Sequence, residues 1–304
     1  MHSPLSRDPQ SEPFESLFVS APDGLRLHVK TCGPVVTDHL PVLALPGLAR
    51  TAADFDALAT GLAADPETPR RTFALDSRGR GRSDHDRAAN YTLPVELADV
   101  QAVMTALGVE PAVIVGTSRG GLLAMLLAVA RPGAIAGVVL NDIGPVIEPQ
   151  GLLRIKSYVG KMPQPRSFED GAEILRRLFE LQFPRLGKDD WLAAAHRAWQ
   201  EQGRRLVPTY DVKLSRTLKG FDPQTPLPAL WQEFDALAHV PMMVIRGANS
   251  DLLSAETVAA MAARRPAMET MVVPDQGHAP LLAEADVIAR ISAFIGTCER
   301  AREH

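Results

Sequence analysis

The sequence predicts an α/β fold: a mostly parallel eight-stranded sheet with helices on both faces and a helical segment inserted late in the chain. Three observations predict it. Short β-branched runs alternate with stretches of helical period, the pattern of a sheet covered on both faces. One such run, Ala112-Val113-Ile114-Val115, drives straight into Gly116-Thr117-Ser118-Arg119-Gly120 and then into a nine-residue apolar stretch, Leu122 to Ala130. Between residues 145 and 240 the alternation stops and helical periods take over.

In order, Glu15 to Ser20 and Leu25 to Cys32 form an opening hairpin around Ala21-Pro22-Asp23-Gly24, residues with turn chemistry. Strands follow near residues 42–45, 72–75, 112–115, 136–140, 242–246 and 269–273. A helix beginning near Pro94 carries Leu97, Val100, Met104 and Leu107 on one face and stops at Gly108. Another spans Ser254 to Arg264. In the 145–240 segment Ile174, Leu175, Leu178 and Phe179 share a face, while Trp191, Ala195 and Trp199 recur every four residues. No strand is expected there. That segment holds ten of the chain's sixteen aromatics, too many for a linker. The expected organisation is a flexible N-terminus over residues 1–14, a core of residues 15–144 and 241–304, and a helical cap over 145–240. Trp191, Trp199 and Trp231 are candidates for a substrate pocket beneath that cap, although aromatics also serve simply to glue cap to core.

Composition narrows the function. The 304 residues are 46% hydrophobic with a formal net charge of −4, and neither suggests nucleic acid as a partner. Arg78, Arg80 and Arg82 cluster in a glycine loop, where a solvated role is expected. Cys32 and Cys298 are far apart with no CxxC spacing, so they are expected as free thiols, with a single bridge the alternative. No run is long enough to span a membrane, and Met1 to Phe14 lacks the basic-then-apolar order of a signal peptide. A cytoplasmic protein is the expectation. No phosphate-binding glycine motif is present, and neither metal nor organic cofactor is expected.

The chemistry centres on Ser118. Gly116 and Gly120 flank it because neighbouring Cβ atoms on so tight a turn would strike the adjoining strand and helix. A bare GxSxG arises by chance in about one chain in ten of this length, so the flanking strand and helix carry the signal. A serine hydroxyl needs a base, and the base needs a carboxylate that fixes its tautomer. Of eight histidines, His278 alone follows a strand-like run, Met271-Val272-Val273, within a turn sequence. Two acids end strands. Asp251 is preferred because the 27 residues to His278 leave room for one helix and one strand, bringing both side chains to one sheet edge. Asp142 is the alternative, or else a cap in its own turn.

With Ser118, an acid and His278 in that order, the chain resembles the α/β-hydrolase superfamily over nearly its whole length. The match includes Val42 to Leu45 entering Pro46-Gly47-Leu48, similar to that family's oxyanion loop, and Asp76-Ser77-Arg78-Gly79-Arg80-Gly81-Arg82-Ser83, similar to its DxRGxGxS loop. The resemblance implies an oxyanion hole made by the backbone N–H groups of Leu48 and Arg119. Pro46 stands where most relatives have histidine. The resemblance also implies a serine hydrolase acting on a small or medium, largely apolar carboxylic ester, a carboxylesterase first of all. Enol-lactonases, carbon–carbon bond hydrolases, perhydrolases and acyltransferases share the layout, but many of the lactonases, perhydrolases and carbon–carbon hydrolases carry methionine where Arg119 stands. Serine as nucleophile sets aside the dehalogenase and epoxide-hydrolase branches. A non-catalytic ligand receptor is the alternative of a different class.

Overall fold

The computed structural model describes residues 13–225 and 227–302; most of the N-terminal segment expected to be flexible lies outside them. Among the described residues the sheet has eight strands in the order β1-β2-β4-β3-β5-β6-β9-β10. They are β1 (Phe14–Ser20), β2 (Arg26–Cys32), β3 (Val42–Leu45), β4 (Thr72–Asp76), β5 (Ala112–Thr117), β6 (Ile135–Asn141), β9 (Met242–Gly247) and β10 (Glu269–Val273). β1, β2 and β4 pair antiparallel, and every other pairing is parallel.

The central strands bury both faces, and their two-residue period assigns side chains to opposite layers. Leu43, Leu45, Ile114, Val138, Leu140 and Val244 join one apolar cluster. Val42, Ala44, Val113, Val115, Val139, Met243 and Ile245 join the other. The first is covered by α2 (Leu93–Leu107) and α3 (Arg119–Ala130), and the second by α1 (Asp56–Ala63) and α9 (Ala285–Arg300). Helix α2 carries the stripe its sequence predicts, with Val100 and Met104 fully buried, and ends on Gly108 in the left-handed region at φ 63°. Helix α8 (Ala255–Arg264) is capped by Ser254, whose hydroxyl accepts from the Thr257 N–H.

The chain leaves β3 for β4 on one side and returns to β5 on the other, so strand order reverses between β3 and β5. In an open parallel sheet such a reversal opens a crevice beyond the carboxyl ends of the strands. The loops leaving β3, β5, β6 and β10 converge there.

Between β6 and β9 lie α4 (Pro149–Tyr158), α5 (Phe168–Phe179), α6 (Lys188–Ala198) and α7 (Trp231–Asp235). One expectation fails in this insertion. It contains a β-hairpin, β7 (Trp199–Gln202) with β8 (Arg205–Pro208), joined by the two-residue loop Gly203-Arg204. The four-residue recurrence of Trp191, Ala195 and Trp199 runs one step past the helix, which ends at Ala198. Trp199 then opens the strand while still pointing into the same small core, with Leu175, Trp191 and Leu206. No helix among the described residues is long and apolar enough to cross a membrane.

Candidate active site

Ser118 sits between β5 and α3 with φ 52° and ψ −114°, a conformation L residues rarely adopt. The flanking glycines permit it. A Cβ on Gly120 would lie 2.0 Å from the Leu45 carbonyl oxygen, and one on Gly116 would lie 2.6 Å from the Gly121 Cα. Either methyl group would force β3, β5 and α3 apart, so the turn demands the two glycines that the sequence supplies.

His278, on the loop after β10, points Nε2 at the Ser118 Oγ across 2.9 Å and Nδ1 at the Asp142 Oδ2 across 2.8 Å. An ionised carboxylate only accepts, so Nδ1 carries the hydrogen and Nε2 is left as an acceptor for the serine hydroxyl. The three side chains therefore form one continuous relay from hydroxyl to carboxylate.

The acid in this relay is Asp142, which corrects the expectation for Asp251. Asp142 follows β6 directly, lies in the left-handed region at φ 55°, and is fully buried. The loop that carries Asp251 in fact holds Asp142 in place: the Gly247 N–H donates to Oδ1 at 2.8 Å and the Ser250 hydroxyl to Oδ2 at 2.5 Å. Asp251 instead accepts two hydrogen bonds from the Arg154 guanidinium of α4, at 2.7 and 2.8 Å. Burial pushes the Asp251 carboxyl up, but the Arg154 hydrogen bond and charge outweigh it and hold the group below its ordinary value.

Leu48 lies on the loop after β3 and Arg119 is the first residue of α3, a position whose N–H has no partner within its own helix. Their surroundings are joined by a buried charge network absent from the sequence-based expectations. The Arg80 Nε donates to the Leu48 carbonyl at 2.7 Å and its Nη1 to the Glu96 carboxylate at 3.1 Å. The Arg119 guanidinium donates to the same carboxylate at 2.8 and 3.1 Å. Glu96 is 1% exposed; burial pushes its carboxyl up, and the charges of Arg80 and Arg119 bring it below its ordinary value. The solvated role expected of the arginine cluster is thus wrong for two of its three members. Arg80 is buried in this network, and Arg78 is buried against Asp99, Asp86 and Asp23. Each finds a carboxylate on a neighbouring element that loop composition alone does not reveal. Arg82 stays nearer the surface, donating to the Ser16 hydroxyl.

A cavity of about 410 Å³ opens above Ser118 and His278. Its apolar wall comes largely from the insertion, including Ile155, Val159, Met162, Leu175, Phe179 and Trp191. Of the three tryptophan candidates only Trp191 reaches it. Trp199 is packed in the small core against Gly171, and Trp231 stacks edge-on with Phe234 beneath the Arg264 guanidinium. The cavity also has polar residues that the sequence did not single out: Arg50, Asp54, Tyr158 and Arg197. Cys32 and Cys298 are separate, buried free thiols, and burial pushes the Cys298 thiol up to about 12.

Residues 42–291 match the α/β hydrolase family. The chain is 36% identical over 256 residues to the 3-hydroxybutyrate-oligomer hydrolase of Cupriavidus necator, covering 82% of this chain and 85% of that protein. It is 26% identical over 208 residues to the 2-(acetamidomethylene)succinate hydrolase of Mesorhizobium japonicum, covering 68% and 71%. The crystal structure of an α/β hydrolase from Novosphingobium aromaticivorans superimposes with a TM-score of 0.85 at 39% identity, over 94% of this chain and 99% of that one.

Proposed function

Because the chain belongs to the α/β hydrolase family, we propose that it is a serine hydrolase of carboxylic esters working through an acyl-enzyme. The observation that carries this reading is the unbroken Ser118–His278–Asp142 relay at the floor of an apolar cavity. His278 takes the hydroxyl proton as the Ser118 Oγ attacks the ester carbonyl, and Asp142 holds the imidazole and stabilises its cation. The tetrahedral oxyanion is received by the backbone N–H groups of Leu48 and Arg119, a pair worth about 3 kcal/mol per donor. Collapse expels the alcohol with the proton returned by His278. Water activated by the same imidazole then releases the acid. The helical insertion acts as a cap whose apolar side chains exclude water and hold the substrate body. The named substrates of the Cupriavidus relative support an aliphatic ester.

The charge network fits this mechanism as a brace. Glu96 ties Arg80, which grips the Leu48 carbonyl, to Arg119 at the start of α3, so the two proposed donor segments are clamped to one carboxylate. It supplies the rigidity of a loop that has Pro46 in place of a histidine. Removing the central charge leaves two buried guanidinium groups uncompensated. Glu96→Gln is therefore expected to lose about 3–5 kcal/mol of stability, read as a lower urea midpoint, and a midpoint unchanged from wild type contradicts the brace.

The reading is tested with short-chain p-nitrophenyl esters and a fluorophosphonate probe. Turnover together with stoichiometric labelling of Ser118 is the expected result. Absence of both favours the ligand-receptor alternative.

A further inference from the structure

On the cavity wall formed by the loop after β3 and helix α6, two arginines share one acid. The Arg50 Nε lies 2.8 Å from Asp54 Oδ2, and the Arg197 Nε lies 3.5 Å from Asp54 Oδ1. Two further acids line this wall and make their hydrogen bonds elsewhere. Asp56 accepts from the Lys30 ammonium on both oxygens at 2.7 Å, and the exposed Asp190 accepts the Gly187 N–H at 2.8 Å. Each guanidinium has five N–H donors, more than one shared carboxylate can accept. Burial weighs against the charge on Arg197 and outweighs the support of Asp54, while the neighbouring Arg50 opposes it and Asp56 and Asp190 favour it more weakly. Arg50 stands close to the chemistry: a point in the Cβ position of Gly47 is 3.4 Å from the Arg50 Cγ and 3.7 Å from the Ser118 Cβ. The same cavity is lined by apolar side chains of α4 and α5.

We propose that Arg50 and Arg197 form a carboxylate subsite, so that the preferred substrates are aliphatic esters bearing a free carboxylate on the same molecule. This rests on the ester-hydrolase reading of Ser118. The planar forks of the two arginines would take the two oxygens of the anion while the hydrocarbon between anion and ester lies along the apolar wall. Asp54 holds the two forks in position, and the anion takes up donors that Asp54 leaves over.

The test compares the mono-p-nitrophenyl ester of adipic acid with its methyl-capped counterpart, which has nearly the same length and no charge. For the wild type kcat/KM for the free acid is expected to exceed that for the capped ester by about tenfold or more, chiefly through KM. The ratio is expected to fall as sodium chloride is raised, since ions screen the attraction. In Arg197→Gln and in Arg50→Gln the ratio is expected to collapse toward one. A wild-type ratio at or below one overturns the subsite, as does a ratio that neither substitution nor salt alters. The wild-type ratio and its salt dependence decide the matter even if a variant fails to fold. Hydrolysis of the capped ester without preference for the acid defeats the subsite alone. Failure of both esters together with no fluorophosphonate labelling of Ser118 defeats the hydrolase reading, and the subsite falls with it.

Discussion

Asp142→Asn is expected to lower kcat on a p-nitrophenyl ester by about 10⁴, whereas Asp251→Asn is expected to stay within about tenfold of wild type. The asymmetry follows from what each carboxylate touches. Asp142 holds the hydrogen on His278 Nδ1 across 2.8 Å; an amide there can present its NH₂ instead, and the imidazole then keeps its hydrogen on Nε2, where it cannot accept from the serine. Asp251 is held by the Arg154 guanidinium, which donates to both of its oxygens. Its loss weakens the tie between α4 and the loop after β9, at a cost of about 1 kcal/mol for a pair partly open to solvent. The pH dependence has a defined sign. Because the folded-state Asp251 carboxyl is held below its ordinary value, its contribution is complete above that ordinary value and is lost as pH falls through the lower, folded one. Turnover of both variants and thermal midpoints across acidic pH check the pair of expectations. A severe loss in Asp251→Asn with a mild one in Asp142→Asn reverses the assignment.

Ser118→Ala and His278→Ala are each expected to lower kcat by about 10⁶, and the double variant is expected to be hardly slower than either alone. In the proposed mechanism nucleophile and base act as one unit, so removing either abolishes the attack and nothing remains for the second loss to remove. Residual hydrolysis above the uncatalysed rate is expected to survive, because the proposed Leu48 and Arg119 N–H donors and the cavity would still bind the reacting ester. Folding is expected to be nearly unchanged in Ser118→Ala. The strain at φ 52° belongs to the turn itself, not to the hydroxyl. Additive losses, multiplying to about 10¹², contradict a joint role for the two residues.

Much of this fold was legible because its signals are local. The apolar runs at residues 42–45 and 112–115, the stripe on α2 and the stop at Gly108 are properties of neighbouring residues, and each appears in the structure within a few residues of its expected place. Ser118 was legible for the same reason, since strand, glycines and helix are contiguous. The acid was not. Asp142 and Asp251 both end strands, and β6 and β9 are adjacent in the sheet, so chain order brings both to one edge. The decision depends on which carboxylate turns toward His278, set by the left-handed backbone at Asp142 and the arginine that captures Asp251 from another helix. Glu96 was hidden inside an otherwise amphipathic helix, and its two arginine partners lie 16 and 23 residues away. The β7–β8 hairpin was masked by tryptophans whose spacing imitates one more helical turn, although Gly203, at φ 63°, carries a turn signal within its two-residue loop.

The proposed acyl-enzyme on Ser118 is tested by rapid acid quench of the wild type during turnover of a short-chain p-nitrophenyl ester, followed by intact mass and peptide mapping. The expected result is a protein heavier by one acyl group, with the added mass on the peptide containing Ser118 and a matching burst of p-nitrophenol. Steady release of p-nitrophenol with no burst and no adduct, or an acyl group carried by a different residue, contradicts it.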